Sequence, residues 1–333
     1  MAPPQTSSIQ PSSIDSKAYY NNYHGHLIPH LNIVHAALRP NPVMWLAGDS
    51  SLDNKYWFYQ HSSAAIGGYE QILDPPLMKQ DIAYHLTSQS LSRQLSPPAT
   101  TINAAMEATT LNQRVFGLLA QDKFIRDNIQ SDDTLVVSVG GNDIALLPSC
   151  CTVCNMLGLV YCTPTSFIEH GCSNPLPVDD CCCGCGASSL SMLTSFPPCG
   201  GYFAHLFRVR VQSYISKLVA KTKPKRVVVC MIYYLDEKGR GGWADCALSA
   251  LNYNSNPAKL QLLIRKTFEE ATSKIDLGPD VQVIPVPLFE ALDGTDPSDY
   301  VERVEPSALG GAKLAELILN KIEAAESQNM NRC

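Results

Sequence analysis

The feature that most restricts the fold is a set of four short Val- and Ile-rich runs, each closed by turn-forming residues: "VMWLA" at 43–47, "TLVVSV" at 134–139, "RVVVCMIYY" at 226–234 and "VQVIPVP" at 281–287. A strand wetted on one face alternates apolar with polar residues, so runs this continuous are expected of strands buried on both faces. Between them lie segments of helical period. Phe203, Phe207, Val211, Tyr214, Ile215 and Leu218 share one face, as do Leu260, Leu263, Ile264 and Phe268, and then Leu314, Leu317, Ile318 and Ile322. Strands alternating with amphipathic helices predict an α/β fold: a central parallel sheet with helices on both faces and right-handed crossovers.

A hydrophobic fraction of 45% and a charged fraction of 17% suit a packed globular chain, and 333 residues suit one main domain plus an insertion. Residues 1–16 are Pro- and Ser-rich and read as a flexible tail ahead of a domain over 17–330, with a short helix expected in "YYNNYHGHLIPHLNIVHAAL". The formal net charge is -6 with the acids dispersed, which excludes the basic footprint of a nucleic-acid or anionic-lipid partner. No apolar run approaches the ~18 residues of a membrane span, and the start has no apolar signal core. The chain therefore reads as soluble and cytoplasmic.

Ten of the thirteen cysteines fall between Cys150 and Cys199, while Cys230, Cys246 and Cys333 stand apart. That clustering marks a local device, an insertion over 149–200. Thiolates are preferred zinc ligands, and Cys151, Cys154, Cys183 and Cys185 supply four of them. A knot of disulfides would produce similar counts.

In a parallel sheet, ligands sit beyond the carboxyl ends of the strands, so the residues just after each run carry the information. After the first run come Gly48, Asp49 and Ser50, and after the second come Gly140, Gly141, Asn142 and Asp143. A serine hydroxyl is a weak nucleophile until a base takes its proton and fixed donors stabilise the oxyanion that forms. Asn142 offers an amide donor and the Ser50 N–H a second. Read singly, each motif is an ordinary capped strand-to-helix turn. Together, in this order, they favour a site.

These residues resemble the SGNH, or GDSL, hydrolase superfamily, over roughly residues 43–325. The resemblance implies a three-layer α/β/α flavodoxin-like fold and the chemistry of esterases, lipases, deacetylases or acyltransferases. It implies Ser50 as nucleophile and Asn142 as oxyanion donor, with Gly48, Asp49 and Gly141 lining the substrate. In the segment "INAAMEATT", which is similar to the second block, Glu107 stands where the superfamily has a glycine whose N–H serves the oxyanion. A carboxylate there would sit near developing negative charge unless it points away or is paired. Where the last block usually reads Asp-x-x-His, this chain has Glu302-Arg303-Val304-Glu305.

The histidine of that block is absent, and three readings follow. Glu305 is itself the base, which requires burial to raise its pKa from ~4.3 towards neutrality. A histidine enters from elsewhere, His61 or His205. Or the cleft has lost hydrolysis and binds an acyl or glycan group without reacting. Asp293 and Asp299 are available to orient a base. The loop after "RVVVCMIYY", with Asp236, Glu237, Trp243 and Asp245, is expected either to wall the cleft or to pack as a surface loop. The expected activity is hydrolysis of a small-molecule, lipid or glycan ester through an acyl-enzyme with no required cofactor; an acyltransferase would use the same residues.

Overall fold

The structure is a computed structural model that describes residues 13–58, 62–93, 99–180, 182–239 and 241–330. Five parallel strands form the central sheet: β1 (Val43–Gly48), β2 (Thr100–Asn103), β3 (Thr134–Ser138), β4 (Arg226–Met231) and β5 (Gln282–Pro287). Their order is β2-β1-β3-β4-β5, with Ala47 opposite Val137 and Gly48 opposite Ser138. This is the flavodoxin-like arrangement, in which the chain reverses direction across the sheet between β1 and β3. All four runs of the sequence are strands. β2 is the addition; β5 is an edge, which is where Pro285 and Pro287 cost the sheet least.

Alternation along each strand divides the core in two. Trp45, Ala47, Leu135, Val137, Val227 and Val229 point to one face, where α1 (Ile28–Leu38), α3 (Ala120–Asn128), α4 (residues 198–218) and α5 (Pro257–Glu270) pack. Met44, Leu46, Val136, Val228, Ile284 and Val286 point to the other, against α2 (Ile82–Ser92) and α6 (Ala308–Met330). The three layers are thus α/β/α. No helix among the described residues is long and apolar enough to cross a membrane.

Residues 1–12 lie outside the described residues. Ile14–Asp15, expected within the flexible tail, instead pairs in parallel with Leu73–Asp74, and Tyr19 and Tyr20 in the helix that follows are buried. Packing of those two rings is what fixes the segment.

The cysteine-rich insertion folds as short helices at Cys150–Leu157, Thr165–Glu169 and Ala187–Leu190 that feed into α4. Asp180 accepts the backbone N–H groups of Cys182, Gly186 and Ser188 and so holds the turn over 182–188. The Cys151 thiol lies against that of Cys185. Among the described residues no three His, Cys, Asp or Glu side chains converge as a metal site.

Candidate active site

β1 ends hard against β3. Gly48 has a φ of 133°, and a Cβ there would fall 1.7 Å from the Ser138 carbonyl oxygen, so only glycine closes this turn. The Asp49 N–H donates to Ser138 O (3.1 Å), and the Asp49 carbonyl accepts from Leu52 N and Asp53 N. The Asp49 carboxyl accepts from the Ser51 N–H and hydroxyl, which holds it beneath the turn. Burial pushes the Asp49 carboxyl up to about 6, with the Ser51 hydrogen bonds and Arg114 pulling the other way. Ser50 is left at the crest, and no described residue accepts a hydrogen bond from its N–H.

The loop after β2 is strapped to the same turn by Arg114, which donates to the Gly48 carbonyl (3.1 Å) and is itself held by Asp122 (2.9 Å). Asp143 accepts the Leu111 and Asn112 N–H groups (2.7 and 3.0 Å), joining this loop to the end of β3. Asn142, on the turn after β3, places Nδ2 3.1 Å from the Thr109 carbonyl. An amide nitrogen has two hydrogens, so one such bond orients the group and leaves a second donor.

Glu107 differs from expectation in both its groups. Its N–H donates to Asp53 Oδ2 (2.9 Å) and is not open to an oxyanion. The left-handed residue of the loop, where a glycine would be at ease, is Ala108 (φ 57°), and no described residue accepts from the Ala108 N–H. The Glu107 carboxyl is buried next to Glu305, and desolvation, then the Glu305 charge, pushes its pKa well up. A carboxyl of raised proton affinity lessens the charge conflict expected at this position.

Glu305 arrives on a hairpin in which Tyr300–Val301 pairs antiparallel with Glu305–Pro306. Glu302 and Arg303 take left-handed φ of 51° and 74° at its tip, a conformation that costs non-glycine residues roughly 1–2 kcal/mol each. Arg303 offsets this. Its guanidinium donates to the carbonyls of Asp236 (2.9 Å) and Glu237 (3.2 Å), to Asp245 (3.0 Å) and to Asn254 (2.6 Å). Tyr233 OH donates to the Val304 carbonyl (2.7 Å) and Asn54 to that of Pro306 (3.1 Å). Glu305 is so pinned on both sides. Its carboxyl is buried, Oε2 has no hydrogen-bond partner, and burial followed by the Asp49 charge drives its pKa far above the usual range. The opposing influence is the Ser50 hydroxyl, which approaches closely enough to favour the ionised form.

Glu302 does not join this group. The left-handed tip turns it outward, exposed, into a separate polar cavity with Asp236, Gly242 and Arg303. His205 is a core residue: Nδ1 meets the Ser188 hydroxyl and Nε2 the Val178 carbonyl, each at 2.8 Å, so it ties the insertion to α4 instead of facing Ser50. His61 lies outside the described residues. Asp293 is capped by Thr295, and Asp299 pairs with Lys313. The loop after β4 does two things: its acidic half receives Arg303, and Trp243 lines the cavity that holds Ser50. Arg303 and His24 carried no sequence signal. His24 sets its Nδ1 3.0 Å from the Glu107 carbonyl oxygen, and neither ring nitrogen bonds Ser50.

Asp49, Ser50, Gly141, Asn142 and Glu305 thus converge on one cavity of about 140 Å³ at the carboxyl ends of β1, β3 and β4.

No family model matches the sequence, and comparison with curated proteins finds no match. Among solved structures, the chain is similar to the lipase Lip_vut3 from a goat rumen metagenome, at 11% identity and a TM-score of 0.43, covering 86% of this chain and 97% of that one. It is also similar to a carbohydrate esterase family 3 protein from Talaromyces cellulolyticus (9% identity, 86% and 99% covered, TM-score 0.38). A third is the acetylxylan esterase Axe2 from Geobacillus stearothermophilus (10%, 86% and 96%, TM-score 0.38).

What the convergent groups can do follows from their chemistry. A hydroxyl beside a carboxyl of raised proton affinity, with open N–H donors at hand and an apolar surround, is suited to proton transfer coupled to attack on a carbonyl.

Proposed function

We propose that the chain is a serine-dependent hydrolase of carboxylic esters, of SGNH type, in which Glu305 replaces the usual histidine as general base. The observation that carries this is the approach of the Ser50 hydroxyl to a buried, otherwise half-unpartnered carboxyl in the cavity that also holds Asn142. An ordinary glutamate is too weak a base for this task, and burial supplies the correction by moving its pKa towards the working range.

Ser50 Oγ adds to the acyl carbon as its proton passes to Glu305. The carbonyl oxygen becomes an oxyanion, for which the Ser50 N–H and Asn142 Nδ2 are the donors. Glu305 returns the proton to the leaving alkoxide as the C–O bond breaks, leaving acyl-Ser50. Water then attacks this ester, gives its proton to Glu305, and the carboxylic acid departs as Ser50 Oγ is reprotonated. Asp49 and Arg303 act through Glu305, one by its charge and the other by fixing the hairpin.

Hydrolysis of p-nitrophenyl butanoate tests the reading. Turnover by the wild type that is abolished in Ser50→Ala supports it; equal turnover by the two proteins removes Ser50 as the nucleophile.

A further inference from the structure

We infer that the cavity beside Ser50 receives the linear acyl chain of a medium- or long-chain fatty ester, and that the cysteine-rich insertion supplies part of its wall. This rests on the reading of Ser50 as the nucleophile and adds to it the class of acid released.

The cavity carries charge at one end only. Asp49 and Glu305 are the only charged side chains among the described residues that line it, and both sit with Ser50. No cation is present to hold a phosphate or a carboxylate, and no array of hydroxyls and amides to read a sugar. Away from Ser50 the wall is built from Met156 and Leu159 of the insertion, Phe207 of α4, Leu248 of the helix at Asp245–Ala250, and Leu263 and Ile264 of α5. These come from four separate elements and line one cavity. Apolar surface of this kind is stabilised by covering it with an apolar ligand, and an unbranched chain tethered at the ester is the ligand whose polar group is fixed at the Ser50 end. An acetyl group would reach none of the insertion.

The far end can be located. Leu159, Phe203, Leu263 and Thr267 line both this cavity and a smaller one of about 30 Å³ that is also bounded by Lys266 and Glu270. These four therefore form the partition at the end remote from the charged pair, and Leu263 is the place to shorten the chain site. Trp243 lines the cavity while remaining 42% exposed, which marks its opening to solvent.

Each methylene transferred from water to an apolar wall is worth about fourfold in affinity, so kcat/KM should rise on the order of a hundredfold from butanoate to octanoate. The experiment measures kcat/KM for p-nitrophenyl acetate, butanoate, octanoate and dodecanoate, each below its aggregation concentration, for the wild type and Leu263→Trp. The octanoate-to-acetate ratio is the readout because it does not depend on how much of a variant is folded. A ratio well above unity that falls at least tenfold in Leu263→Trp supports the inference. A ratio at or below unity, unmoved by Leu263→Trp, overturns the chain site while leaving Ser50 as the nucleophile of a short-chain esterase. Displacement of the fluorescent fatty acid cis-parinaric acid by decanoate, measured on Ser50→Ala, separates the two readings further. Decanoate binding weakened by Leu263→Trp in that background supports the cavity even without turnover, and no binding counts against it.

Discussion

Replacing Glu305 by glutamine keeps the shape and the hydrogen-bonding reach of the side chain and removes only its capacity to take a proton. A positioned general base contributes about 10²–10⁴-fold, so Glu305→Gln should lower kcat/KM for an activated ester by a hundredfold or more. The pH profile sharpens the test. Because burial and Asp49 raise the carboxyl, the wild-type rate should climb with pH along a limb lying above the ~6.5 of an ordinary histidine, and the residual rate of the variant should lack that limb. Stability should move in the opposite sense. The native state holds the Glu305 proton to higher pH than the unfolded chain does. Between the two pKa values the unfolded state therefore binds fewer protons, and stability falls as pH rises, by up to about 1.4 kcal/mol per pH unit. Glutamine carries no such penalty, so thermal melts should show the variant gaining on the wild type from pH 5 to pH 8. A variant within a few-fold of wild-type activity, or one whose relative stability is flat across that range, would refute the assignment of Glu305 as a buried base.

Other perturbations follow from the same geometry. Asn142→Ala should cut kcat by about a hundredfold with the fold intact, since it removes an oxyanion donor; an unchanged kcat in folded protein would take Asn142 out of the site. Asp49→Asn keeps an acceptor for Ser51 and removes the charge that raises Glu305, so the activity limb should shift to lower pH, a displacement read from kcat/KM against pH. Arg303→Met breaks the buried contacts that hold the hairpin and should cost about 3 kcal/mol or more in denaturant unfolding, with kcat falling more than KM rises. The structure departs from the zinc or disulfide device expected of the insertion: Cys150, Cys151, Cys154, Cys162, Cys172, Cys183, Cys185 and Cys199 form no disulfide, and no three metal-ligating side chains converge among the described residues. Thiol titration of the native protein should therefore find most of these cysteines reactive; few titratable thiols, or tightly bound zinc, would contradict that arrangement.

What the sequence disclosed and what it hid have physical reasons. β1, β3, β4 and β5 were legible because burial on both faces forces nearly continuous apolar runs. β2 was not, since Thr100–Asn103 is a four-residue edge strand in which only Ile102 is a large apolar residue. Of the helices, α4, α5 and α6 have wide apolar stripes, whereas α3 is largely polar and buries chiefly Phe124 and Ile125. Ser50 and Asn142 could be singled out because strand ends are where a parallel sheet presents its chemistry. The separation of Glu302 from Glu305 could not be read, because it depends on two non-glycine residues in left-handed conformations held there by Arg303 contacts some fifty to seventy positions away along the chain. Ala108 was hidden for a related reason: an alanine at positive φ leaves no mark in the sequence, while the block pattern points to its neighbour Glu107. The raised proton affinity of Glu107 is likewise a property of burial beside Glu305, which no local pattern records.

The central claim, that Ser50 is a nucleophile activated by Glu305, is tested most directly by the rate at which a fluorophosphonate labels the native protein as a function of pH, with the adduct located by mass spectrometry. The account predicts a single adduct on Ser50, forming faster as pH rises through the Glu305 limb, and labelling of Glu305→Gln that is at least a hundredfold slower. An adduct on another residue, or labelling of Ser50 at the same rate and with the same pH dependence in Glu305→Gln, would contradict it.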